Sequence, residues 1–553
     1  MFKSLKDSLA GRLGSISRRE LFSSGSLLGL GGLLPWRRAR AAAAAAPSAA
    51  GLQLGPNIYQ SIGVRPLINC RGTLTIIGGS IEWPEVRAAK DLANQQHVQL
   101  DELMEAVGRR LGELTGAEWG MVSAGCAAAL SLATAACVAG GNPDLHVRIP
   151  NLAGFPKDEV IIPTHSRNVY DAAIRAVGVK IIEVETREQL EAAIGPRTAM
   201  IYIFANQRSE AGPPSFDEVT RIARERNVPV LVDAAAEILT IPSVYLQRGA
   251  TLVGYSGGKV IRGPQSAGLL LGRKDLVQAA WVHSAPHHGY ARSMKIGREE
   301  VIGMLMAVEL WVKRDHAAEW KQWIARLNHI AGRVSRLEGV TTSLREPDGR
   351  SNRSPSLGIR WDANKLGITG QEVSNILYNT EPRIALGGGG GGGGAGGRRG
   401  QALAAGETGI SVTAFMMSPG DERIVADRIY QVLSSKHPLK PVEHPKAPAA
   451  NLAGRWDVQI QFTAGRSTHA LHITQDGNRL EGTHQGDFAA RELSGGISGD
   501  AVVFSSLQTE RHGDSLSFRF TGKVGGNTMS GELDMGEYLK AQWTATRHQY
   551  QRG

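Results

Sequence analysis

An α/β protein is expected from this sequence: a mostly parallel sheet covered by helices, a small α+β subdomain, and a C-terminal antiparallel β-barrel or sandwich. Three observations lead there. Between about residues 52 and 435, short apolar runs of strand length alternate with amphipathic helical stretches. Lys436 to Ala449 then carries Pro438, Pro441, Pro445 and Pro448, the texture of a linker. Beyond it the pattern switches to period-two alternation broken by glycine turns. The segments are therefore 1–50 (leader and linker), 51–330 (large domain), 331–435 (small α+β domain), 436–450 (linker) and 451–553 (β domain).

At 553 residues the chain exceeds one average domain. With 42% hydrophobic and 21% charged residues, global disorder and collagen are excluded. Cys70, Cys126 and Cys137 are too few for a disulfide scaffold, and none lies in a C-x-x-C pair, so thiolate zinc is not expected. The formal charge of +10 invites a nucleic-acid reading. Eight of the Lys/Arg and two of the acids lie in residues 1–50, however, and the remainder carries only +4. That leaves no electrostatic case for a polyanion partner.

In the leader, Ser17-Arg18-Arg19-Glu20-Leu21-Phe22 precedes an apolar, Gly-rich run from Leu27 to Leu34 and an alanine tract ending near Ala50. A charged stretch, a short apolar stretch and small residues make a secretory signal. The paired arginines resemble the twin-arginine export signal, with Leu21 and Phe22 in reversed order. A periplasmic or secreted protein is expected, exported after folding around its cofactor. The apolar run is shorter than the ~20 residues a spanning helix needs, and no later segment is long and apolar enough.

In the body, Glu159–Ile162 reads as a strand ended by Pro163, followed by a helix around Tyr170–Val177 and a strand at Lys180–Val184. Met200–Phe204 and Val230–Asp233 are further strands, Phe216–Arg226 is an amphipathic helix, and Glu299–Val312 is a long one. Gly387 to Gly397 is glycine except for Ala395; with no side chains to pack it reads as a loop or insertion, not a phosphate cradle. In the β domain, Trp456–Phe462, Leu471–Thr474 and Leu516–Phe520 alternate, with turns at Gly477-Asn478, Gly513-Asp514 and Gly525-Gly526. Gly454-Arg455-Trp456 and Trp543–Arg547 resemble a small β-domain appended to exported enzymes. His472, His484 and His512 look scattered, as surface histidines.

Chemistry concentrates at Tyr255-Ser256-Gly257-Gly258-Lys259. A lysine in a Ser/Gly turn between apolar strands is a candidate Schiff-base former, since its amine can be held neutral by desolvation or a nearby cation. Val230-Leu231-Val232-Asp233 ends a strand on a carboxylate, where open α/β sheets bind ligands. A carboxylate against a pyridinium nitrogen keeps it protonated and makes the ring a stronger electron sink; a helix-capping Asp is the plainer reading. Along an extended segment Asp233 and Ala235 point the same way, so small Ala235 would lie flat under such a ring. Ser123-Ala124-Gly125 opens an Ala-rich helix whose N–H groups suit phosphate. His165, after the strand ending at Pro163, stacks on a cofactor or is a loop histidine.

Small residues at a helix start, then His, Asp-x-Ala and Ser-Gly-Gly-Lys, in that order, resemble the aspartate-aminotransferase-type fold of pyridoxal-phosphate enzymes. More closely, residues 57–435 are similar to the selenocysteine synthase-like family, which includes L-seryl-tRNA selenium transferase and D-glucosaminate-6-phosphate ammonia-lyase. Supporting segments are Gly63–Asn69 with Gly72-Thr73, Gly263–Gly268 and Arg292–Glu300. The resemblance implies pyridoxal 5'-phosphate in Schiff-base linkage to Lys259 and Asp233 at the pyridine nitrogen. It implies phosphate contacts near Ser123, Gly125 and Ser256, and Asn206 beside the ring hydroxyl. It implies Arg292 and Lys295 at an anionic substrate or phosphate site, unless they simply flank a helix start, and Arg383 holding a substrate carboxylate. The polyglycine run departs from the family pattern next to Arg383. The implied partners are a small amino substrate and a second copy of the chain, in a homodimer or larger oligomer; nucleic acid is not expected. The expected reaction is α,β-elimination, by an ammonia-lyase or dehydratase, on a small amino acid or amino sugar acid. Transamination, racemisation, aldol cleavage, selenium transfer and a non-catalytic exported binding protein stay open.

Overall fold

A seven-stranded sheet organises the computed structural model, which describes residues 51–387, 406–438, 444–510 and 512–549. The leader (1–50), most of the polyglycine run and part of the proline-rich linker lie outside the described residues. Residues 51–66 belong to a unit of their own, with one 3₁₀ turn at Gln60–Ile62; all that follows concerns the unit from Leu67 onward. Among the described residues no helix is long and apolar enough to cross a membrane.

The strands of the large sheet are β1 (Trp119–Ser123), β2 (Glu159–Pro163), β3 (Lys180–Val184), β4 (Thr198–Phe204), β5 (Val230–Asp233), β6 (Leu252–Ser256) and β7 (Gly268–Gly272). Their order is β1-β7-β6-β5-β4-β2-β3. β3, β2, β4, β5 and β6 pair in parallel, while β7 runs antiparallel to both of its neighbours. This is the mostly parallel sheet expected. β1, β5 and β7 are buried throughout, as strands covered on both faces must be. β3 and β5 match their expected spans, and the expected helix at Phe216–Arg226 is found at Phe216–Glu225. The helix expected around Tyr170–Val177 is shorter, a 3₁₀ turn at Val169–Asp171 running into Ala172–Arg175.

The covering helix that matters most is α1 (Gly125–Ala139), in which Ala128 to Ala139 are all buried. It is apolar on every side because it packs under the sheet. A second core gathers Leu327, Ile359, Trp361, Val373 and Ile429 around an antiparallel sheet of Thr341–Arg345, Ser356–Asp362 and Glu407–Thr413.

The β domain is a closed barrel, which settles the barrel-or-sandwich alternative. Its strands are β8 (Gly454–Gln461), β9 (Arg466–Asp476), β10 (Arg479–Gln485), β11 (Ala490–Ser498), β12 (Ala501–Thr509), β13 (Ser515–Gly525), β14 (Thr528–Asp534) and β15 (Lys540–Arg547). Each is antiparallel to the next, and β15 closes on β8 through Trp456↔Arg547 and Ile460↔Trp543. Inward alternation fills the centre with Trp456, Phe504, Phe520 and Trp543. One expectation is corrected here. His484 is not a surface histidine: it is fully buried, points inward on β10, and shares hydrogen bonds with His469 (2.8 Å) and Ser506 (2.7 Å). Its period-two parity with Leu480 places it inside.

Candidate active site

Parallel strands deliver their C-terminal ends to one edge of the sheet, where open α/β sheets take ligands. Ser123, Pro163, Phe204, Asp233 and Ser256 end β1, β2, β4, β5 and β6 there. Register ties them together. Ser123 and Ser256 both oppose Gly268, and Asp233 lies between Phe204 and Gly254.

Asp233 is 1% exposed. Its Oδ2 accepts from the Tyr202 hydroxyl at 3.0 Å, and its Oδ1 from the Ala235 N–H at 3.0 Å and the Cys126 thiol at 3.8 Å. Burial pushes its carboxyl above the ordinary range. The Ala235 N–H, the Lys259 charge, the Tyr202 hydroxyl and the Cys126 thiol oppose that by favouring the anion. Asn168 Nδ2 in turn donates to the Tyr202 oxygen at 3.1 Å. Tyr202 and Cys126 are both held protonated by burial, with the Asp233 charge adding to it. They are therefore fixed donors to the carboxylate. Asp233 does not cap a helix.

Lys259 sits in one π-helical turn, Gly257–Ile261, between β6 and β7, with non-helical φ −118° and ψ −137°. The turn is closed by Gly263 N–H to the Gly257 carbonyl (2.9 Å) and Gly257 N–H to the Ala267 carbonyl (2.8 Å). Arg262 ends it in the left-handed region at φ +60°. The Arg262 guanidinium lies 3.8 Å from the centroid of the Trp83 ring, and Nε donates to the Ile81 carbonyl at 2.8 Å. Burial, then the charge of Arg314, pushes Arg262 down to about 10. These contacts clamp the lysine loop to the segment Gly79–Trp83, where Ser80 N–H also donates to the Gly258 carbonyl at 3.0 Å.

Ser123-Ala124-Gly125 leads β1 into α1, with Ser123 Oγ donating to the Gly125 carbonyl at 2.9 Å. Gly125 has φ +82°, and a Cβ there would meet only the Ser266 carbonyl at 3.9 Å, so the helix start is open on this side. Gly268 is the opposite case: its Cβ would stand 2.4 Å from the Gly125 carbonyl carbon, so only glycine lets β7 pass α1 this closely.

The remaining expected residues fall as follows. His165 is half-buried; its Nε2 donates to the Pro214 carbonyl at 3.0 Å, and Nδ1 accepts from Ser166 Oγ at 3.0 Å. A carbonyl only accepts, so this is the neutral Nε2–H tautomer, and burial lowers the ring's pKa in agreement. Both ring nitrogens are engaged by these two bonds. Asn206 caps Gln207–Ala211, its Oδ1 accepting from Arg208 and Ser209 N–H and its Nδ2 donating to the Phe204 carbonyl. Ala235 is half-buried but not on an extended segment: β5 ends at Asp233, and the Ala235 N–H turns back onto that side chain. The period-two argument for its direction therefore lapses. Arg292 and Lys295 are exposed in the loop before the helix Arg298–Lys313. Arg383 donates to the Tyr378 carbonyl at 2.9 Å and stacks on that ring at 4.0 Å.

The sequence reading missed Tyr202, Asn168 and Cys126. Tyr202 carried one signal: a tyrosine amid aliphatic strand residues needs a partner for its hydroxyl.

Residues 164–289 match the aminotransferase class-V family model. D-glucosaminate-6-phosphate ammonia lyase of Salmonella typhimurium (strain 14028s / SGSC 2262) is 32% identical over 327 residues, 58% of this chain and 86% of that protein. The chain belongs to the selenocysteine synthase-like family of pyridoxal-phosphate enzymes. Within it, a 5'-C-glycyluridine monooxygenase-decarboxylase of a Streptomyces species is 33% identical over 52% of this chain and 74% of that protein. L-seryl-tRNA(Sec) selenium transferase of Moorella thermoacetica is 26% identical over 52% and 66%. A solved D-glucosaminate-6-phosphate ammonia-lyase superposes with a TM-score of 0.60 at 28% identity, covering 69% of this chain and all of that one.

As a member of the selenocysteine synthase-like family, the chain is a pyridoxal-phosphate-dependent lyase or transferase. The donor set agrees with that cofactor. A buried acid, a lysine whose charge acts on it, and an open helix N-terminus reach one sheet edge. Residues of these types can hold a pyridine nitrogen, an aldehyde and a phosphate respectively.

Proposed function

We propose that the protein is an exported ammonia-lyase or dehydratase that carries out α,β-elimination on a small amino acid or amino sugar acid, as a homo-oligomer. The observation that carries the reading is Asp233, a buried carboxylate with three hydrogen-bond donors, at the sheet edge that also bears Lys259. The Salmonella ammonia lyase, matched over 86% of its length, supports elimination over the other outcomes. Export rests on the twin-arginine-like leader.

Bound pyridoxal phosphate supplies an electron sink that acidifies the C–H beside a substrate amine. This chain's residues do the rest. The first backbone N–H groups of α1 hold the phosphate, with Ser123, Gly125 and Ser256 around it. Asp233 keeps the pyridine nitrogen protonated, and Tyr202 and Cys126 hold Asp233 in place. The Lys259 amine would hold the aldehyde of the bound cofactor and, when free, would take the α-proton of the substrate. The β-hydroxyl would then leave as water, taking up the proton that Lys259 has removed. The enamine set free tautomerises and is hydrolysed to a 2-oxo acid and ammonia, so the water lost is regained. Arg292, Lys295 and Arg383 are assigned to the acidic groups of the substrate, the first two from their exposed loop.

The test is product analysis on holoenzyme with a panel of β-hydroxy amino acids and amino sugar acids. Equimolar ammonia and 2-oxo acid without oxygen uptake support elimination. The Streptomyces relative favours one rival, oxidative decarboxylation. Oxygen consumption with carbon dioxide release would replace the proposal with that rival.

A further inference from the structure

A cluster of charges lies behind the cofactor edge, and the catalytic reading uses none of it. Arg350 belongs to the loop between Thr341–Arg345 and Ser356–Asp362, two strands of the second core. This loop reaches the segment after Asp233 and pairs with it as a short antiparallel bridge. Ile238 N–H donates to the Arg350 carbonyl at 3.1 Å, and Asn352 N–H to the Ala236 carbonyl at 2.7 Å. The Arg350 side chain then forks. Its Nε donates to Glu237 Oε2 at 3.1 Å, and its Nη2 donates to Glu210. Glu237 is 4% exposed and also accepts from the Tyr245 hydroxyl at 2.8 Å. Burial pushes its carboxyl up, and Tyr245 and Arg350 oppose that.

The two carboxylates sit on the two strand ends assigned to the cofactor ring. Glu237 closes the turn after Asp233, its N–H donating to the Ala234 carbonyl at 2.9 Å. Glu210 lies on the helix Gln207–Ala211, and its N–H donates at 3.3 Å to the carbonyl of Asn206, which caps that helix. Beyond Glu210 the charges run outward through Arg248 (2.9 Å) to Asp217, which is 70% exposed. Arginine offers donors in two directions from one rigid plane, as lysine does not. An ion pair this buried contributes little net stability. What it supplies here is a fixed distance between two strand ends.

We propose that Arg350 is a positioning residue for the cofactor: from the second core it ties the β4 end bearing Asn206 to the β5 end bearing Asp233, so that the ring hydroxyl and the ring nitrogen meet their partners together. The inference rests on the assignment of those two residues to the pyridoxal-phosphate ring. Asn206 Nδ2 spends one hydrogen on the Phe204 carbonyl and carries a second that can serve the ring oxygen.

The test is absorption titration of full-length holoprotein, comparing the wild type with Glu210→Gln, Asp217→Asn, Arg350→Met and the Glu210→Gln/Arg350→Met double variant. The colour of bound pyridoxal phosphate follows a proton shared between the Lys259 nitrogen and the ring oxygen, and a donor on that oxygen competes with it. Cutting the Glu210 tie should slacken Asn206 and raise the pH midpoint of the colour change by roughly half a unit or more. Charge alone acts the other way, because removing a carboxylate disfavours the protonated form and lowers the midpoint. Asp217→Asn, at the exposed end, should leave the midpoint in place. Arg350→Met should raise it at least as far as Glu210→Gln does, and the double variant no further than Arg350→Met, since one tie cannot be cut twice. An unchanged or lowered midpoint in Glu210→Gln, beside a wild type that titrates, overturns the proposal; so does an equal rise in Asp217→Asn. A wild type that takes up pyridoxal phosphate without attaching it to Lys259 overturns the cofactor placement first, and this inference with it. If Arg350→Met does not fold, Glu210→Gln decides alone, its side chain being 33% exposed.

Discussion

Tyr202 shows how the acid at the heart of the site is controlled. Its hydroxyl donates to Asp233 Oδ2 and is itself held by Asn168. Replacing Tyr202 with Phe removes a donor that favours the carboxylate, so the Asp233 pKa should rise further. Losing one hydrogen bond to a buried charged group costs about 1–3 kcal/mol. The expected outcome is an acidic limb of the kcat/KM profile displaced to higher pH, with roughly a ten-fold or larger loss of kcat/KM at neutral pH. An unshifted acidic limb would remove Tyr202 from this role. Lys259→Ala should cost at least about 10³-fold in turnover, because it removes the residue we propose as both anchor and base; steady-state assay of ammonia release measures it. Lys259 and Asp233 were legible in the sequence because each advertises itself locally, one in a Ser-Gly-Gly turn and the other at the end of an apolar strand. Tyr202, Asn168 and Cys126 were not. Their part depends on register between strands and on α1 crossing Gly254, whose Cβ would lie 3.2 Å from the Cys126 sulfur. Short-range pattern carries no such information. Ala235 misled for the same reason: alternation was extended past the point where Asp233 turns the chain onto itself.

Element packing around α1 gives a sharper test than any single polar contact. β7 is the antiparallel strand of the large sheet and passes α1 at Gly268. A methyl there runs into the Gly125–Cys126 peptide group, its carbonyl carbon, nitrogen and oxygen at 2.4, 2.5 and 2.7 Å, and backbone cannot swing away as a side chain can. Gly268→Ala should therefore destabilise the fold by about 1–3 kcal/mol and also displace the start of α1. The measurements are thermal unfolding and equilibrium dialysis of pyridoxal phosphate, and both midpoint and cofactor affinity should fall. A drop in stability with unchanged affinity would show that the start of α1 does not serve the phosphate. Elsewhere in the sheet, β3 and β5 were readable because each is a short run rich in branched aliphatic residues. The direction of β7 was not readable, since a fully buried strand looks the same whichever way it runs.

Across the whole molecule, stability should depend on pH through histidines kept neutral by burial. His484 in the barrel is pushed down to about 3, by burial first and then by the charges of His469 and Arg491. His283 is pushed down to about 4, again by burial, against His146. Their unfolded forms titrate near 6.5, so between that value and the folded pKa the unfolded chain binds more protons. Stability should be level above about pH 6.5 and fall as pH drops toward 4, by roughly 1–2 kcal/mol per histidine at pH 5. Denaturant titrations at pH 7.5 and pH 5 test this, and His484→Gln should flatten the barrel's share of the slope. The central claim is narrower than the molecule: Lys259 carries pyridoxal phosphate at the sheet edge where Asp233 waits. Borohydride reduction of the holoprotein followed by peptide mass mapping tests it most directly. A phosphopyridoxyl group on Lys259, absent from Lys259→Ala, is the result expected; a reduced adduct on another lysine, or none in protein that binds the cofactor, would contradict it.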